Sequence, residues 1–191
     1  ETLNRELSAA KTEIQRLNAS LQSLQGTLTA KDQLIASLES KVDELEQYSR
    51  RNNVRIAGLE EEDTEDTGEK MLHLINDVLN LDPPLEINEI DRVHRIGTRR
   101  EGTSGPRPVL LKLATYRSRK RIMNLRTTLK SKRKDIFFND DLTRLRSEML
   151  WKLRSKKKKG LIQDCWSIDG KLMIKDNANI IKQIKLMSET D

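Results

Sequence analysis

Cysteine is nearly missing from this chain of 191 residues, with Cys165 the single thiol. One thiol builds neither an internal disulfide nor a cysteine-rich zinc site, and the shortage fits a reducing compartment. Aromatic residues are scarce at 3%, and hydrophobic residues reach only 35%. That supply excludes one big core and leaves room for one or two modest domains. No apolar run approaches the ~20 residues that cross a bilayer. No secretory signal follows Glu1, so a soluble intracellular protein without a membrane partner is expected. Histidine is limited to His73, in an apolar helical pattern, and His94, among arginines. Neither has a nucleophile motif or phosphate loop beside it, so both are expected to be structural or electrostatic, with no enzyme activity, metal or cofactor.

Charge, by contrast, is plentiful and segregated. The net value of +6 hides residues 53–91, with 2 basic against 12 acidic side chains (−10), and residues 92–160, with 23 against 5 (+18). A basic block of that size has a polyanion as its natural partner.

Residues 1–52 carry one unbroken pattern. Leu3, Leu7, Ala10, Ile14, Leu17, Leu21, Leu24, Leu28, Lys31, Ile35, Leu38, Val42 and Leu45 follow one another at alternating spacings of four and three. A period of 3.5 sustained this long predicts a left-handed coiled coil, and a rod about 70 Å long. The alternative is one long surface helix on its own domain; the narrow stripe and small neighbouring domain weigh against it. Glu6 with Lys11 and Lys41 with Glu46 suit parallel pairing. Lys41-Val42-Asp43-Glu44-Leu45-Glu46 is close to the basic–apolar–x–x–apolar–Glu pattern of trimeric coils, with Lys in place of Arg. A homo-oligomer is expected, with a trimer favoured over a dimer, and Lys31 fixing register at some cost in stability.

From residue 53 the period changes. Val54 to Leu59 alternates as a strand; Glu60 to Asp66 is an acidic loop; Met71, Leu72, Leu74, Ile75, Val78 and Leu79 recur at helical spacing until Asp82-Pro83-Pro84. Ile87 to Ile96 reads as an extended segment, Gly97 to Pro108 as a loop and Val109 to Leu113 as a buried strand. A basic helix from near Thr115 with Ile122, Leu125 and Leu129 inward, then a strand at Ile136-Phe137-Phe138, complete the order β-α-β-β-α-β, the split βαβ unit of RRM domains. The third strand has no aromatic residue, and Phe137 and Phe138 face opposite ways with at least one in the core, so base-specific reading by stacking is not expected.

Positive charge must supply the affinity instead. Arg92, Arg95, Arg99, Arg100 and Arg107 surround the second strand and its loop, and Lys112 lies on the third. Arg117, Arg119, Lys120, Arg121 and Arg126 lie on the second helix, and Lys130, Lys132, Arg133 and Lys134 follow it. Phosphates neutralised by such groups release counterions, which makes binding favourable and salt-sensitive. The bland alternative, a solvated face, suits one such cluster better than three within 45 residues.

Beyond residue 139, Leu142, Leu145, Met149 and Leu153 form an apolar helical stripe among Arg144, Arg146, Lys152, Arg154 and Lys156, Lys157, Lys158 and Lys159, with Gly160 ending the helix. Trp166-Ser167-Ile168 and Leu172-Met173-Ile174 flank Asp169-Gly170, a two-residue hairpin signal. Ile180, Ile181, Ile184 and Leu186 predict a final helix. Trp151 and Trp166 are read as structural rather than base-stacking. The lysine run also suits nuclear localisation, a weakly diagnostic pattern. The expected fold is α+β: a coiled coil over 1–52, an RRM-like domain over 53–139 and a small α/β C-terminal nucleic-acid-binding domain over 140–191.

The coil running into Tyr48-Ser49-Arg50-Arg51-Asn52-Asn53-Val54-Arg55-Ile56-Ala57-Gly58, then Ile90-Asp91-Arg92-Val93-His94-Arg95-Ile96-Gly97, Gly105-Pro106-Arg107-Pro108-Val109-Leu110-Leu111-Lys112-Leu113, Ile136-Phe137-Phe138-Asn139-Asp140-Asp141-Leu142 and Trp166-Ser167-Ile168-Asp169-Gly170-Lys171 occur in series. This series resembles the first-open-reading-frame proteins of LINE-one type retrotransposons. The resemblance implies a parallel homotrimer, an RRM with a C-terminal domain, and binding of single-stranded RNA and DNA with little sequence preference. It also implies nucleic-acid chaperone activity and packaging of the element's RNA into a cytoplasmic ribonucleoprotein. The family's RNA-contacting arginines fall here on Arg92, Arg95, Arg107, Arg144 and Arg146. The other class of function is a coiled-coil scaffold whose basic face binds an acidic protein or a membrane.

Overall fold

The computed structural model describes residues 1–98 and 105–185, and the chain divides into two compact units, Glu1–Leu45 and Glu46–Asp191. The protein is α+β: one long N-terminal helix, then antiparallel sheets with short helices. Helix α1 spans Thr2–Ser49, without a proline. No residue of the first unit is buried, and its apolar seam from Leu3 to Leu45 lies between 49% and 77% exposed. An amphipathic helix gains most of its stability by covering such a stripe.

The last turn of α1 is part of the second unit, where Gln47 is buried. Its amide donates to the Asp141 carbonyl at 3.0 Å and accepts from the Thr143 N–H at 3.0 Å. Arg50 and Asn53 both reach the Asp141 carboxylate, at 3.2 and 2.9 Å. Gln47, Asn53 and Asp141 are buried, so each of their bonds removes a desolvation penalty, while Arg50 remains part-exposed.

Strand β1 spans Asn53–Ala57, and helix α2, Thr67–His73, is capped by the Asp66 carboxylate, which accepts from the Gly68 and Glu69 N–H groups. A wide π turn, Leu74–Val78, continues α2. The helix ends there, before the Asp82-Pro83-Pro84 stop that the sequence suggests, and Asn80 takes a positive φ. Strands β2 (Ile90–Arg95) and β3 (Val109–Leu113) follow. The expected single basic helix is two, α3 (Tyr116–Asn124) and α4 (Arg126–Lys132), separated at Leu125. Strand β4, Phe137–Asp140, begins just after the buried Ile136. The sheet order is β2-β3-β1-β4, with every neighbouring pair antiparallel. Val54, Ile56, Val109, Leu111, Leu113 and Phe138 pack on one face against Met71, Ile75, Ile122 and Leu129. Gly58, at φ +84°, closes this core: a Cβ there would meet the Asp135 carbonyl oxygen at 1.8 Å.

A second core gathers Leu142, Met149, Leu150, Leu153, Ile162, Leu172 and Ile184. Helix α5, Arg144–Lys158, supplies one side and the antiparallel strands β5 (Asp164–Ile168), β6 (Lys171–Lys175) and β7 (Ile181–Ile184) the other. Asp169 and Gly170 both have positive φ, as a two-residue hairpin of this type requires. The expected terminal helix is a correction. Asp176 accepts from the N–H groups of Ala178 and Ile180, turning the chain back so that Ile184 pairs with Leu172, and β-branched isoleucines suit that strand. Leu186 lies outside the described residues.

Candidate nucleic-acid interface

Because β1 to β4 bury alternate residues against the helices, the residues between them project from the opposite face. Registers align Arg92 with Lys112, His94 with Leu110, Leu110 with Arg55, and Arg55 with Asn139, while Ala57 faces Phe137. Phe137 is 56% exposed and Phe138 only 4%, so the outer aromatic of that pair stands on the same face as the cations. Lys112 is paired to Asp91 at 2.6 Å, and Arg92 is exposed. Arg55, at the centre of this face, is missing from the sequence-based candidates; its place between Val54 and Ile56 in a half-buried strand is the signal that marks it.

The other predicted cations divide sharply. Arg95 is an inward residue of β2, its side chain 5% exposed. It makes a two-pronged pair with Glu65 at 2.6 and 2.9 Å and donates to the carbonyls of Leu59 and Arg107 at 2.7 Å each. Arg107 is held by Glu61, whose oxygens accept from its side-chain Nε at 2.8 Å and its backbone N–H at 3.0 Å. Hydrogen bonds from Arg107 hold the Glu61 carboxyl down to about 2, and those from Arg95 do the same for Glu65. The acidic loop therefore already occupies two of the family-matched arginines.

Arg119 is a correction. It is 4% exposed, not a surface contact, and lies on the Ile122 side of α3. Its guanidinium bonds Asp140, Asp169 at 2.6 Å and the Asn53 carbonyl at 3.2 Å, tying α3, β1, β4 and the hairpin together. Tyr116 adds a bond to Asp169 at 2.9 Å. Arg121 turns to Glu89 and the Pro83 carbonyl. Arg117 and Lys120, on the same helix, are exposed. Arg99 and Arg100 lie outside the described residues.

On α5, Arg144 is exposed and paired with Glu148 at 2.8 Å, while Arg146 is half-buried and donates to the Gly170 carbonyl at 2.9 Å. Lys156 is half-buried and Lys157 meets Asp164 at 2.7 Å. Trp151 is 72% exposed, contrary to the structural role expected for it, whereas Trp166 is half-buried in β5. Burial pushes the Cys165 thiol up, away from the reactive thiolate. Among the described residues no group of three or more histidine, cysteine, aspartate or glutamate side chains is placed to hold a metal ion. No helix among them is long and apolar enough to cross a membrane. No protein-family model matches the chain, and no curated protein sequence matches it.

Proposed function

We propose that this chain is an assembly protein that binds single-stranded RNA or DNA through phosphate contacts, as the resemblance to LINE-one first-open-reading-frame proteins implies. The observation that carries this reading is the uncovered sheet face, where Arg92, Lys112 and Arg55 stand on three adjacent strands with Phe137 beside them. The β-α-β-β-α-β order with strands arranged β2-β3-β1-β4 supports an RRM-like domain, whose nucleic acid lies on that face. With one aromatic rather than several, the face offers affinity without a base code. The exposed seam of α1 supports self-association, and a trimer is favoured by the Lys41 to Glu46 pattern. Joining several heads lets modest contacts add into tight binding, and rapid exchange of each contact lets strands melt and re-pair. Packaging of RNA into a ribonucleoprotein follows from the same multivalency.

The second reading, a scaffold for an acidic protein, has one observation in its favour: Arg95 and Arg107 already bind carboxylates of the chain's own loop. Fluorescence anisotropy with labelled oligothymidylate and with a labelled acidic peptide separates the two. The nucleic-acid reading predicts tight binding to the oligonucleotide alone; binding to the peptide alone would replace it. Light scattering with mass analysis is expected to give a multiple of the chain mass of 22.1 kDa, three being favoured.

A further inference from the structure

Helix α5 presents an inconsistency that a purely electrostatic interface leaves unexplained. Its inward side is apolar, with Met149, Leu150 and Leu153 buried in the second core. At ~3.6 residues per turn, Trp151 points almost directly away from that core. It remains 72% exposed, although an indole is among the side chains that gain most from burial. Its neighbours on this outward face are Arg144 seven residues before, Glu148 three before, Arg154 three after and Lys158 seven after. The cations at seven residues stand about 10 Å along the axis on either side of the ring. Arg154 is exposed and, with Lys158, forms no ion pair among the described residues.

We propose that Trp151 is a stacking platform for one unpaired nucleobase, with Arg154 and Lys158 gripping the neighbouring phosphates, while Arg144 on the other side of the ring is paired with Glu148 at 2.8 Å. This rests on the nucleic-acid reading above and adds to it a site that accounts for the choice of unpaired strands, since a base inside a duplex has no free face to offer. A π-face flanked by cations is what a single strand needs, and it tolerates any base. A membrane surface fits poorly, because an interfacial helix needs an apolar face and that of α5 is used by its own core. A protein partner fits poorly too, because interface centres are depleted of charge and this ring is flanked by it.

The test uses the full chain with Trp166→Phe, leaving Trp151 as the sole indole, titrated with oligothymidylate of about ten nucleotides, short enough to engage one head. Indole emission is expected to be quenched in step with the anisotropy of the labelled oligonucleotide. Trp151→Ala is expected to weaken binding roughly 5- to 150-fold, the range seen when one stacked base goes unsupported, without changing the salt slope, and Trp151→Phe to restore most of the affinity. If Trp166→Phe fails to fold, the quench of the wild-type chain minus that of Trp151→Ala gives the same readout. Oligonucleotide binding with unchanged emission and an unaffected Trp151→Ala would overturn this inference alone. So would an emission shift produced only by phosphatidylserine vesicles, or a change of assembly mass in Trp151→Ala. Failure of the wild-type chain to bind the oligonucleotide at all would instead remove the nucleic-acid reading beneath it.

Discussion

Two arginine-bearing regions of the folded unit, both rich in cations by sequence, have opposite wiring. Around the acidic loop, Arg95 and Arg107 face Glu65 and Glu61, and further along the same core Arg119 faces Asp140 and Asp169. The charge of Arg95 and Arg119 is neutralised inside the fold, and that of Arg107, part-exposed, at the edge of the loop. On the outer sheet face and on the outward side of α3 and α5, Arg92, Arg117, Lys120 and Arg154 project into solvent. Net charge therefore overstates the binding surface, and the local carboxylates decide which arginines a phosphate can reach. A buried pair is chiefly a constraint on structure, since removing one partner strands the other charge.

The contrast predicts separable mutant effects. Arg119→Ala removes the hydrogen-bonded partner of the buried Asp140, leaving it only the longer pair with Arg126 at 3.7 Å, and is expected to lower stability by about 3–5 kcal/mol, read as a shift of the denaturant midpoint. A shift near zero would mean that the network is not structural. On the outer face, Arg55→Ala with Arg92→Ala is expected to keep the midpoint and weaken all single-stranded sequences alike. The slope of log affinity against log salt should become shallower by about 0.7 for each phosphate that the variant no longer neutralises. Arg117→Ala belongs with this group, whereas Arg121→Ala, a residue engaged with Glu89, is expected to act mainly on stability. Glu61→Gln sharpens the comparison from the other side: by releasing Arg107 it should raise oligonucleotide affinity about 1.5- to 5-fold, the range of a part-exposed ion pair. No gain would show that Arg107 stays out of reach of a ligand even when unpaired.

A separate effect is in the pH profile. Glu61 and Glu65 ionise near 2 in the fold, below their ordinary value of 4.5. Their contribution to stability is complete above about pH 5 and is lost as pH falls from there towards 2, because protonation must then break the arginine pairs. Thermal melts should be flat on the alkaline side of that window and fall within it, and Glu61→Gln with Glu65→Gln should flatten the fall.

Much of the architecture was legible because it depends on local periodicity. The 3.5 repeat of α1, the alternation of β1 and β3, the inward Ile122 and Leu129 and the Asp169-Gly170 turn all write their geometry into neighbouring residues. What was not legible depends on partners distant in sequence. Ile181–Ile184 forms a strand because the edge of β6 is there to receive it. Arg119 is inside because Asp140 and Asp169 arrive from residues 21 and 50 positions away. The −10 segment beside the +18 segment did carry a hint that some arginines would be neutralised internally, but which ones required the loop's path over β2. The exposure of Trp151 was hidden for a related reason: its face on α5 is fixed by where Met149 and Leu153 point, and composition alone favours burying an indole.

The most direct test is the affinity of the full chain for a short single-stranded oligonucleotide measured across a series of salt concentrations. If the outward cations form a phosphate-binding surface, log affinity falls linearly with log salt, with a slope of about −0.7 for each of several phosphates engaged. Affinity that is absent, or that does not respond to salt, would contradict it.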